Sequence, residues 1–218
     1  SLERADILIA HAGTGTIMQA LRAGLPLLVD RVFDEDVATP LTVYAREETL
    51  AAVQAHLFND VIWPDFGKLP TEENPMLRYR VCGPGDTIGI GHRNFHAVEV
   101  MHSVPSLGFT VQNSGGVFAV SGDTKSNETL WPVLNACDDL KVLVIEVSFP
   151  DEMASLAQDS GHYTPKSLTE DLERLRHEPE IWLTGMKPGE EQRIFRQVVK
   201  AVPDKNIQML SRGTVLTV

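Results

Sequence analysis

Apolar and polar positions alternate in short runs along most of this chain. "LTVYA", "MLRYRV", "FHAVEVMH", "GFTVQ", "GVFAVSGD", "KVLVIEVSF", "EIWLT", "NIQML" and "TVLTV" all read as strands, as does "DILIA" near the start. Between them the period lengthens. Residues 46–57 set Leu50, Val53 and Leu57 at spacings of three and four, on one face of a helix. "KSLTEDLERLR" follows Thr164-Pro165, a capping residue and then a proline at the first helical position, where its missing N–H costs nothing. "GEEQRIFRQVVKAV" opens with acids and carries Lys200 near its end, as the helix dipole favours. Strands joined by short turns dominate from about 77 to 123, and "NSGG" at 113–116 is a hairpin signal. Strands then alternate with helices to the end. The pattern predicts helices packed on sheets, an α/β arrangement of the α+β kind, in one domain over 1–218.

Composition narrows the partners. The chain has 218 residues and a formal net charge of −11, which argues against a broad nucleic-acid surface. A protein this acidic handles phosphates through local cations or metal ions. Cys82 and Cys137 stand far apart in no metal-type pairing, as expected for reduced, buried thiols in a cytoplasmic protein. No run approaches the roughly 20 apolar residues that span a bilayer, and no signal-peptide pattern opens the chain.

Histidine changes the picture. Of His11, His56, His92, His96, His102, His162 and His177, His56 and His177 sit in helix-like, polar surroundings that suit ordinary surface residues. His102 ends an alternating strand in "VMHSVPS", and Asp123 follows another in the glycine turn of "FAVSGDT". Strand ends opening into loops are where a rigid sheet fixes ligands. An imidazole and a carboxylate on neighbouring strand ends can share one or two divalent cations. The competing reading is that Asp123 caps a turn and His102 bonds locally.

"HSVPSLGFTV", "VFAVSGDT", "VLVIEVSFP", "SGHYTP" and "LTGMKPGEE" occur in the order found in metallo-β-lactamase-fold proteins. With "GLPLLVDRVF" and "HLFNDVIWPDF", the chain resembles the class II cyclic-nucleotide phosphodiesterase branch of that superfamily. The resemblance implies an αββα sandwich with a metal site at one edge and a shortened N-terminal part. It implies His102 as a metal ligand, Asp123 as a metal-bridging carboxylate and His162 as a phosphate-facing or proton-donating residue. Glu146 would orient a neighbour. The implied cofactor is zinc or manganese, as one or two ions, and the implied ligand a small phosphoester or nucleotide. Apolar residues in "LFNDVIWPDF" offer a homodimer contact or pack beneath a loop.

The departures from that family are as specific as the matches. Its His-x-His-x-Asp-His loop, which supplies most ligands to both metals, occurs nowhere in the chain. Its last ligand, a histidine two residues before Lys-Pro, is replaced by Gly185. "ILIAHAGTGT" resembles the strand and turn that precede the missing loop, with His11 at the place of an aspartate, so the gap falls between about Leu21 and Gly24. By spacing alone, His11, Gly13, Gly15 and Thr16 could instead overlie the ligand loop. The stretch lacks the Gly-Lys-Ser/Thr ending of a P-loop. It also resembles the nucleotide-sugar-binding segment of some glycosyltransferases, which share His-Ala-Gly-x-Gly-Thr before a helix. Three functions follow: a metal-dependent phosphodiesterase, a non-catalytic relative that binds a nucleotide or protein partner, and a nucleotide-sugar-binding module.

Overall fold

The computed structural model describes residues 40–211 and 213–218, so "DILIA", the glycine turn with His11 and "GLPLLVDRVF" lie outside the described residues. The chain divides into two compact units, with the boundary after Gly83. In the first, β1 (Leu41–Ala45) pairs in parallel with β2 (Leu77–Val81), and α1 (Glu47–His56) connects towards a long loop. Leu41, Leu57, Phe58 and Leu77 form its core, with Val53 packed against them. Leu50 is buried too, so the helical face read from spacing is the buried one.

The second unit is built on one seven-stranded sheet, β3 to β9 in chain order. β3 (Thr87–Ile90), β4 (Arg93–Val100), β5 (Ser106–Asn113) and β6 (Gly116–Val120) form an antiparallel meander. The turn from β5 to β6 is the "NSGG" hairpin, where Asn113 faces Gly116 and its Oδ1 accepts the Gly115 and Gly116 N–H groups. From β6 onward the pairing is parallel, through β7 (Leu140–Glu146), β8 (Glu180–Thr184) and β9 (Ile207–Met209). Parallel neighbours need crossovers, and these are supplied by α2 (Leu130–Ala136), α3 (Ala154–Ser160), α4 (Pro165–Leu172) and α5 (Glu191–Ala201).

Burial follows from this topology. β7 sits between two parallel neighbours and is buried from Val142 to Glu146, the continuous pattern of a covered central strand. Leu143 and Ile145 pack in one core with Trp131, Leu168, Leu172, Ile194 and Val198 from the helices. Each such aliphatic side chain contributes about 1.5–3 kcal/mol by leaving water. α4 starts at the capping box, in which Thr164 Oγ1 accepts from Ser167 N and Ser167 Oγ accepts from Thr164 N.

Two stretches depart from the sequence reading. "TVLTV" alternates like a strand but forms none; its last carbonyl, of Val218, instead accepts from the Asn113 side chain at the β5–β6 turn. β3 is a strand that its sequence conceals: Gly89 interrupts the run, and the strand holds only as the edge partner of β4.

Candidate functional site

Strand direction gathers the chemistry at one edge. β4 and β6 both run antiparallel to β5, so they share a direction, and β7 and β8 run parallel to β6. The C-terminal ends of β4, β6, β7 and β8 therefore open on the same side. His102 lies just past β4, Asp123 just past β6, Glu146 ends β7 and Gly185 lies just past β8. His162 joins them from the turn between α3 and α4.

One ligand-type atom from each of His102, Asp123 and His162 lies within 4.8 Å of the others. The two imidazoles meet edge to face, with ring centroids 4.8 Å apart. The pair read from strand ends is thus brought together, and His162 completes a group of three.

Hydrogen bonds fix which nitrogen of each neutral ring carries the proton. His102 Nδ1 is 2.9 Å from the Gly161 carbonyl, which only accepts, so Nδ1 carries the proton and Nε2 keeps its lone pair. Ser103 Oγ stands 3.5 Å from that Nε2. His162 Nδ1 lies 3.1 Å from Glu146 Oε1, so it donates to the carboxylate and its Nε2 is likewise left for a ligand. A carboxylate or carbonyl behind a histidine is how metal-binding imidazoles are usually held in orientation.

Glu146 is the hub behind the site. It is 1% exposed. Its Oε1 accepts from Thr124 N at 3.2 Å, Tyr163 N at 3.1 Å and the His162 imidazole, and its Oε2 accepts from Ser148 Oγ at 2.9 Å. One carboxylate thus ties the loop after β6 to the loop carrying His162. Burial pushes its carboxyl above the usual 4.5, against the hydrogen bonds from His162 and Ser148, which pull it down. Ser148 Oγ also lies 3.1 Å from the Gly185 carbonyl and 3.1 Å from His162 Nδ1.

A second brace lies behind Tyr163. Its hydroxyl donates to Asp171 Oδ2 at 2.6 Å, and Arg174 bridges Asp171 to Glu128 and to the Asn127 carbonyl. Burial and the Asp171 charge raise the Tyr163 hydroxyl far above its ordinary range, so it remains a donor.

Thr124, Ser148, Gly161 and Tyr163 were not singled out from sequence. For Ser148 a signal existed, because a residue two beyond Glu146 along an extended segment shares its face. Gly161 offered only its place in "SGH". In the structure it has φ +79°, and a Cβ there would stand 2.6 Å from Ser103 N and 2.9 Å from His102 Nδ1. Gly161→Ala is therefore expected to displace His102 and weaken cobalt binding by about 10- to 100-fold, the range for losing a ligand's support. Spectroscopic titration with cobalt measures it, and unchanged affinity would show that His102 is not held through Gly161.

Gly185 stands where the resemblance places the family's last histidine. Beside it a Cβ would meet Glu146 Cβ at 3.4 Å and Ser148 Oγ at 3.5 Å, ordinary contact distances. The missing side chain leaves no more than the room of a methyl group next to the Glu146 hub.

Comparisons with known proteins bear on these features separately. The model of the glycosyltransferase family 28 C-terminal domain matches residues 1–30. A probable 3',5'-cyclic-nucleotide phosphodiesterase of Yersinia pestis is 27% identical over 149 residues, covering 62% of this chain and 43% of that protein. The chain therefore spans less than half of the curated relative it matches. Unliganded yeast PDE1 superimposes with a TM-score of 0.63 at 20% identity, over 78% of this chain and 57% of the yeast chain. The metallo-β-lactamase fold protein YhfI of Bacillus subtilis gives 0.61 at 13% identity, over 82% and 65% of the two chains. PqqB of Methylobacterium extorquens, solved with Zn²⁺ bound, gives 0.55 at 14% identity, over 82% and 65%. At these identities the likeness is one of fold, and that fold is the metallo-β-lactamase fold anticipated from the ordered motifs. No helix among the described residues is long and apolar enough to cross a membrane.

Proposed function

We propose that this metallo-β-lactamase-fold chain is a metal-dependent phosphodiester hydrolase acting on a cyclic nucleotide or a related small phosphoester. The observation that carries the proposal is the convergence of His102, Asp123 and His162 within 4.8 Å at the shared strand edge. Two imidazoles and one carboxylate are a donor set that suits zinc, manganese and iron(II), and three protein donors leave positions open. Both imidazoles are held by acceptors at Nδ1, which fits them for that task. The Yersinia relative and the ordered motifs support the phosphoester as substrate.

In this reading His102 and His162 contribute Nε2, and Asp123 contributes a carboxylate oxygen. Glu146 keeps the His162 imidazole in one tautomer, and Ser148 keeps the Glu146 carboxylate in one rotamer. A divalent cation held there supplies charge to polarise the phosphoryl group and to activate water. In this reading His162 is a donor to the cation, where the resemblance implied a phosphate-facing or proton-donating residue. Gly185 itself has no side chain to offer a cation.

A second reading has its own observation: the family model over residues 1–30 matches the stretch that resembles a nucleotide-sugar-binding segment. One experiment separates the readings. Purified protein loaded with manganese or zinc is expected to retain metal and to hydrolyse bis-p-nitrophenyl phosphate and cyclic AMP in a chelator-sensitive way. Less than a tenth of an equivalent of metal, with no hydrolysis, overturns the hydrolase. A thermal shift with uridine diphosphate but not cyclic AMP would then assign the chain to the second reading, and nucleotide binding without hydrolysis to a non-catalytic relative.

A further inference from the structure

We propose that Lys187, on the loop after β8 and over the Phe149 ring, is an anion-binding residue that receives the non-bridging oxygens of a phosphoryl group. The inference deepens the reading of the site as a phosphoester hydrolase, and rests on it for the identity of the anion.

The lysine is placed, not merely present. Its backbone N–H donates to the Ser148 carbonyl at 3.1 Å, so it is anchored to the residue that braces Glu146. Its ammonium lies 5.0 Å from the centroid of the Phe149 ring. That same ring meets the His162 imidazole edge to face at 5.7 Å. The ammonium and the His162 imidazole thus share one aromatic neighbour. Phe149 is 7% exposed, so it gives the lysine stem a fixed platform.

Charge sets this lysine apart. Around the site stand Asp123 and Glu146, in a chain of net charge −11. Most basic side chains nearby are already engaged: Arg174 pairs with Glu128 and Asp171, Arg193 with Glu152 and Glu190, and Lys125 reaches the Gln158 carbonyl. Among the described residues no carboxylate pairs with Lys187, whose ammonium rests on an aromatic face. A cation–π contact at an exposed position is weaker than a charge-assisted hydrogen bond and yields readily to an oxyanion.

Gly185, in the same short loop as Lys187, adds no side chain beside Glu146 and Ser148. In an acidic protein this loop offsets the repulsion between the site's carboxylates and an incoming phosphate.

The test is binding of inorganic phosphate by calorimetry, on chelator-treated and on manganese-loaded protein. Lys187→Met keeps the stem over Phe149 and removes the charge. It is expected to weaken phosphate binding about ten-fold in both states, as for losing one charge-assisted hydrogen bond. Lys187→Arg is expected to restore affinity to within about three-fold, and added salt to weaken the wild type more than Lys187→Met. Manganese content is expected to stay unchanged in both variants. Phosphate affinity of Lys187→Met equal to that of the wild type in both states overturns the proposal. If the wild type holds no metal and hydrolyses nothing, yet the chelator-treated protein binds phosphate through Lys187, the hydrolase fails and the anion site stands.

Discussion

Asp123→Asn is expected to lower manganese or zinc affinity at least a hundred-fold and to remove chelator-sensitive hydrolysis of bis-p-nitrophenyl phosphate with it. The amide preserves shape and replaces a charged oxygen donor by a neutral one. Loss of orienting support alone costs about 10- to 100-fold in metal affinity, and loss of the only carboxylate in the three-residue group costs more. Elemental analysis after loading and desalting gives the metal content, and melting temperature gives the control. Asp123 lies in a partly exposed loop, so stability is expected to change by less than about 1 kcal/mol. A full equivalent of metal retained by Asp123→Asn would mean that the group at the strand edge is not the metal site.

The largest effect on stability is expected at Glu146. Replacing it by alanine strands the Thr124 and Tyr163 N–H groups and the His162 imidazole, all of which now face one buried carboxylate. Breaking a buried charged network by removing one partner costs about 3–5 kcal/mol. Glu146→Gln keeps an acceptor for the backbone donors and His162, while Ser148 turns fully to the Gly185 carbonyl, so its cost falls to about 1–2 kcal/mol. Urea unfolding measures both, and equal costs for the two variants would show that the carboxylate's hydrogen bonds contribute little. Both variants are also expected to weaken metal binding, because His162 loses the partner that fixes its tautomer.

The edge geometry was legible because it needs only periodicity. "LTVYA" and "EIWLT" coincide with β1 and β8, and His102 and Asp123 were recognisable as the residues just past two strands. The third member of the group was not legible from spacing. His162 lies on a turn between helices, and its approach to His102 follows from how α3 and α4 cross back over the sheet. The Glu146 hub was hidden for a similar reason: three of its four donors, Thr124, His162 and Tyr163, are remote in sequence. α2 and α3 also escaped notice, since each is only seven residues long and too short to show a helical period. Lys187 in "GMKPG" looks like any loop lysine until Phe149 and His162 are placed beside it.

The change of pairing at β6 has a kinetic corollary. Strands β3 to β6 meet through short hairpins, whose closure entropy is small, whereas β7, β8 and β9 must await helical crossovers before they can dock. His102 belongs to the early half, Glu146 and His162 belong to the late half, and Asp123 hangs from the strand between them. The three side chains therefore come together only when both halves of the sheet are in place. Partial unfolding of the late half would dismantle the group while much of the meander still stood.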